Sequence, residues 1–145
     1  MKGSGRSISF AFLVLVVAQA AHSFEEYVFR LYDRFAPAMW VSDSLGLPRP
    51  LGFLAANGAL VLFGLWCYFA IIRPNRALAP AFAWGWAVVE LLNGLAHIGL
   101  ALAAGGYFPG LATAPFLIVI GLALSLGLAG RDRAGRSVED SRQVG

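Results

Sequence analysis

"ISFAFLVLVVAQAAHSFEEYVFR", residues 8–30, is long and apolar enough to cross a bilayer, yet it closes on His22, Glu25 and Glu26. A spanning helix needs about 20 predominantly apolar residues to cross a hydrocarbon core of about 30 Å. A simple anchor does not explain ionisable groups at its far end. Each carboxylate left ionised near the centre of a span costs roughly 2.5–3.5 kcal/mol on insertion scales. Such groups have to be protonated, paired, hydrated or bound to a cation.

The rest of the chain repeats the apolar pattern at 51–72, 81–104 and 113–130. With 145 residues, 59% hydrophobic and 13% charged, and a mean hydropathy of +0.70, the chain is too apolar for a water-soluble domain of its size. The expected fold is all-α, a polytopic membrane four-helix bundle. Residues 1–130 would form the four-span domain, and 131–145, "RDRAGRSVEDSRQVG", a polar, disordered cytoplasmic tail. Between the first two spans, "DRFAPAMWVSDSLGLPRP" (33–50) holds three prolines and two aspartates, which predicts an exposed loop rather than a long helix, with Trp40 as an interfacial anchor. "RPNRALAP" (73–80) is a short basic connection, and "GGYFPGLATAP" (105–115) is uncharged and rich in turn formers.

The net charge of +3 and pI near 9.5 do not indicate nucleic acid, because the basic residues sit around the ends of apolar runs instead of on one face. Lys2, Arg6, Arg73, Arg76, Arg131, Arg133, Arg136 and Arg142 fall on one side of a four-span topology, and Arg30, Arg34 and Arg49 on the other. The positive-inside rule then places both termini in the cytoplasm, in the cell membrane. A competing reading is that Ala18-Gln19-Ala20 marks signal-peptide cleavage, which would leave His22 near a free N-terminus. Cys67 is the only cysteine, so no internal disulfide forms.

Helical residues advance about 100° each, so Gln19, His22, Glu25 and Glu26 share one face. In "WGWAVVELLNGLAHIGL" (84–100), Trp86, Glu90, Asn93 and His97 form a second stripe. Turning both stripes inward, toward each other, satisfies most of these groups at once. Imidazole with carboxylate suits Zn, Fe or Mn, which makes His22, Glu25, Glu26 and His97 candidate metal ligands and Glu90 a further ligand or general base. The same groups without metal would suit a proton-coupled carrier or ion-binding protein. Any one of them alone would serve as an interhelical hydrogen bond in a non-catalytic assembly partner. The convergence of five ionisable groups favours a functional site. Gly121, Ser125 and Ala129 form a small-residue face in the fourth span, for packing within the bundle or for a homo-oligomer. No phosphate-binding loop, dinucleotide fingerprint, nucleophile elbow or His-Glu-x-x-His motif is present.

His22-Ser23-Phe24-Glu25-Glu26, His97 in "NGLAH" and Tyr107-Phe108-Pro109-Gly110 stand in an order and spacing that resemble the HXXEE family of small membrane proteins, over roughly residues 13–125. That family has no established reaction, so the resemblance implies a site without naming its chemistry. It adds Tyr107, read either as part of a turn or as a lid or hydrogen-bond donor over the cluster, and so as a candidate catalytic residue beside Glu90. The functional expectation is a metal-dependent membrane enzyme acting on a lipid or other apolar substrate, with the bilayer as its surroundings.

Overall fold

The computed structural model describes the backbone of residues 2–143 and the side chains of residues 5–134. Five helices follow in order: α1 (Lys2–Val28), α2 (Ala36–Ser44), α3 (Arg49–Cys67), α4 (Ala79–Ala104) and α5 (Ala114–Gln143). A 3-10 turn, Leu31–Asp33, precedes α2, and a π-helical turn, Tyr68–Ile72, prolongs α3. No strand occurs among the described residues. Four segments are long and apolar enough to cross a membrane: Gly5–Val28, Arg49–Ile72, Ala79–Ala104 and Ala114–Ala134. They match the runs read from the sequence to within a few residues.

The helix ends follow local chemistry. Pro37, Pro50 and Pro80 each lie in the first turn of α2, α3 and α4, where the missing N–H has no helical partner to lose. Gly105 closes α4 in the left-handed region at φ 65°, its N–H returning to Leu102 and Ala101 carbonyls.

The helices pack with small residues at the seams and large ones inside. Gly94 sits so close to Ile118 and the Ala114 carbonyl that a Cβ would lie 2.8 and 2.9 Å from them, which lets α4 and α5 nearly touch. Gly121 meets Leu91 in the same seam, so its use is internal to the bundle. Phe12, Leu15 and Val16 of α1 interdigitate with Leu117, Leu124 and Leu128 of α5. The outer surface is apolar as well: Leu62, Leu92 and Leu126 are 68%, 62% and 73% exposed. Polar groups inside and bare leucines outside are the arrangement for which lipid is the solvent. The chain is an integral membrane protein in architecture.

One expectation is corrected. Residues 33–50 are not simply an exposed loop, because Ala36–Ser44 is helical, with Pro37 in its first turn and Ser42 fully buried against Gly52. The Ser42 hydroxyl donates to the Ala38 and Arg49 carbonyls and ties α2 to the start of α3. Trp40 is 69% exposed on this helix. The backbone of α5 runs as helix through 131–143. Ala, Arg, Glu and Gln are good helix formers, and extending a nucleated helix costs little. Residues 144 and 145, and the side chains of Lys2, Arg136 and Arg142, lie outside the described residues.

Candidate functional site

The last turns of α1 and α4, the first turn of α5 and the 105–113 connection meet at the end of the bundle that carries α2. There His22, Glu26 and His97, all buried, each offer a ligand atom, and these atoms lie within 4.8 Å of one another. Glu26 Oε1 is 3.5 Å from His22 Nε2, one turn back on α1, and 3.0 Å from His97 Nε2 on α4. The two imidazoles stand edge to face, 4.6 Å between centroids.

Partners on the far side of each ring decide which atoms carry protons. His97 Nδ1 lies 2.7 Å from the Pro109 carbonyl, which can only accept, so Nδ1 bears the hydrogen and Nε2 a lone pair. His22 Nδ1 lies 2.7 Å from Thr113 Oγ1, whose own proton goes to Glu25 Oε2 at 2.5 Å. His22 Nδ1 therefore donates as well, which leaves its Nε2 a bare, buried acceptor with no hydrogen-bond partner. Two imidazole lone pairs and a carboxylate oxygen thus face one another with no donor among them. That arrangement requires a proton or a cation.

Glu25 is directed elsewhere, although it neighbours Glu26 in sequence. Its carboxylate accepts the Tyr107 hydroxyl at 2.6 Å, the Ala112 N–H at 3.0 Å, the Thr113 N–H at 2.8 Å and the Thr113 hydroxyl. Four donors engage its two oxygens, so it fastens the 107–113 segment over the cluster. Tyr107 is 45% exposed, and desolvation together with the Glu25 carboxylate raises its hydroxyl above the usual tyrosine range, which keeps it a donor. Gly110, at φ 95°, lies flat on both imidazoles: a Cβ there would fall 2.5 Å from His97 Nδ1 and 2.8 Å from His22 Cε1. Each part of Tyr-Phe-Pro-Gly therefore touches the site, through the Tyr107 hydroxyl, the Pro109 carbonyl, the Gly110 backbone and Phe108, whose ring centroid is 6.1 Å from that of His97.

The match to a known family covers residues 13–124 and is described as "Protein of unknown function with HXXEE motif". The chain belongs to the HXXEE family. No curated protein and no solved structure matches it. In HXXEE terms the two glutamates of the motif divide the labour, Glu26 turning to the histidines and Glu25 to the connection above them.

Of the residues singled out in the sequence, the structure brings together His22, Glu26 and His97, places Glu25 and Tyr107 against each other beside them, and sets Glu90 apart. Glu90 lies two turns below His97, about 10 Å along α4. It is 1% exposed, and neither carboxylate oxygen has a hydrogen-bond partner among the described residues. Asn93 turns its amide to Gln19 Oε1, Gln19 donates to Ser23, and Ser23 donates to Asn57, a chain that links α4, α1 and α3. Sequence reasoning passed over Thr113, Ser23 and Asn57. A hydroxyl in an uncharged turn carries no signal of its own, and only the chain reversal before α5 brings Thr113 to His22.

Beside Glu26 and Glu90 a cavity of about 480 Å³ opens between α3 and α4, with α1 behind it and α2 at its rim. Its walls are mainly apolar, among them Phe53, Leu60 and Val89.

Proposed function

We propose that the protein is a metal-dependent membrane enzyme in which His22 Nε2, His97 Nε2 and one oxygen of Glu26 hold a divalent transition metal, Zn, Fe or Mn, and which acts on a lipid or other apolar substrate. The observation that carries this reading is the convergence of three acceptors without a donor. The two separations from Glu26, 3.0 and 3.5 Å, match edges of a coordination sphere with metal–ligand bonds of about 2.1 Å, and all three ligand atoms lie within 4.8 Å of one another. Two histidines and one carboxylate leave coordination positions open, as catalytic zinc and non-haem iron sites do. A cation there would supply Lewis acidity. Pro109 and Thr113 orient the two imidazoles through their Nδ1 atoms, the outer-sphere support that metal-bound histidines use. Glu25 positions Thr113 and Tyr107 and is not a ligand in this reading. The substrate lies between α3 and α4, and Glu90, whose oxygens are sealed from the cavity, takes no part in this reading.

Elemental mass spectrometry on purified, metal-replete protein tests the proposal. Stoichiometric metal is expected in the wild type and in Glu90→Gln, and its loss in His22→Ala, His97→Ala and Glu26→Gln. Wild-type protein without metal would overturn the assignment. A proton-coupled carrier is the second reading, favoured by the hydrogen-bonded path from buried His22 through Thr113 and Glu25 to half-exposed Tyr107. The distribution of basic residues supports a topology with both termini in the cytoplasm, in which reporter fusions at Ser44 and Gly145 should score on opposite sides of the membrane.

A further inference from the structure

The cavity between α3 and α4 meets the His/Glu cluster through Glu26 alone, since neither histidine lines it. The carboxylate that would hold the metal therefore stands between the metal and any occupant, and it is already engaged. Glu90 adds no charge that an occupant can reach, because both of its oxygens are sealed, each with under 1 Å² of accessible surface. A charged head, ammonium or carboxylate, would thus leave water for a wall with no free charge to pair it. The polar groups left to an occupant are amides. Asn57, half-buried on α3, spends its Oδ1 on Ser23 and one N–H on the Phe53 carbonyl, and keeps a second N–H. Asn93, half-buried on α4, donates to Gln19, while its Oδ1 has no partner among the described residues and is not sealed. One donor and one acceptor remain, and a hydroxyl group answers both with a single atom. Phe53, Leu60 and Val89 line the apolar part and suit a hydrocarbon chain. Val89 and Leu92, at the edge, are 53% and 62% exposed on the lipid-facing surface, so the cavity is reached from within the bilayer. Its volume of about 480 Å³ lies inside the range, roughly 300–1,000 Å³, of sites that hold one small ligand.

We infer that this cavity binds a single-chain lipid with a neutral hydroxyl head, a long-chain alcohol in its simplest form. Its hydroxyl sits between Asn57 and Asn93 beside Glu26, and its chain runs along Phe53, Leu60 and Val89. That this lipid is the substrate rests on the proposed metal enzyme; that it binds does not.

Full-length protein in nanodiscs, titrated with dodecanol, methyl undecyl ether, dodecylamine and dodecanoate and read by native mass spectrometry with thermal melting, tests the inference. Dodecanol should bind one to one, raise the melting temperature, and bind about tenfold or more tighter than either charged analogue. The ether, which accepts but cannot donate, should bind about fivefold more weakly than dodecanol, the scale of one hydrogen bond. Asn93→Leu should erase that preference for alcohol over ether. Ala56→Phe, which fills the cavity and leaves both amides in place, should abolish binding of either. Equal binding of alcohol and ether by the wild type, tighter binding of the amine or the carboxylate, or alcohol binding that survives Ala56→Phe, would overturn the inference. Metal content measured on the same samples separates the two claims. Alcohol binding without metal would sink the enzyme and leave this site standing, and metal without alcohol binding would do the reverse.

Discussion

Replacing Gly110 by alanine should damage the cluster more than any other single-methyl change in the chain. At φ 95° an L side chain is strained wherever space exists, at a cost of about 1–3 kcal/mol. Here space does not exist, because the new Cβ would lie 2.5 Å from His97 Nδ1, 2.7 Å from His97 Cε1 and 2.8 Å from His22 Cε1. Those rings cannot yield at their other ends without leaving Pro109, Thr113 or Glu26. Overpacking of this kind adds about 1–3 kcal/mol. Gly105 supplies an internal control, since it also has positive φ, at 65°, but nothing within 4 Å of its Cβ. Gly105→Ala should cost only the backbone part, about 1–2 kcal/mol. Reversible unfolding of both variants in mixed micelles, with bound metal measured alongside, should show Gly110→Ala less stable than Gly105→Ala by about 1–3 kcal/mol and depleted of metal. Equal destabilisation with normal metal content would refute the contact of Gly110 with the imidazoles and the role given to the Tyr-Phe-Pro-Gly segment.

Glu25→Gln should destabilise the fold by about 2–4 kcal/mol, because one amide oxygen cannot serve four donors and the new NH2 faces others; chemical denaturation reads this, and an unchanged midpoint would remove Glu25 as the fastener of the connection. Because desolvation and Glu25 raise the Tyr107 pKa above its unfolded value, its share of stability is complete below about pH 10 and is lost as pH rises through the folded value. Alkaline unfolding should therefore steepen less in Tyr107→Phe than in the wild type, and identical pH profiles would count against the Tyr107–Glu25 bond. Cysteines at positions 26 and 97 in a Cys67→Ser background should link readily, whereas the outward-facing pair at Val28 and Leu95, 52% and 55% exposed, should not; comparable linking of both pairs would separate the two stripes.

What was legible in the sequence is what a bilayer and a helix impose locally. Apolar length defines the four spans, because every spanning segment meets the same hydrocarbon thickness. The 3.6-residue period put His22 and Glu26 on one face and Glu90 and His97 on another, since that arithmetic needs no partner. Tertiary structure decided the rest. Glu25 and Glu26 differ by one step of about 100°, so only the rotation of α1 against α4 and α5 could assign one to the histidines and the other to the connection. The groups that fix both imidazoles, the Pro109 carbonyl and the Thr113 hydroxyl, depend on where the chain reverses between α4 and α5, and a backbone carbonyl leaves no mark in a sequence. Glu90 shares a stripe with His97 but not its surroundings, because two helical turns carry it to the level where α3 and α4 part around the cavity. Periodicity specifies a direction around a helix axis, and the depth at which neighbouring helices close or separate is a property of their packing alone.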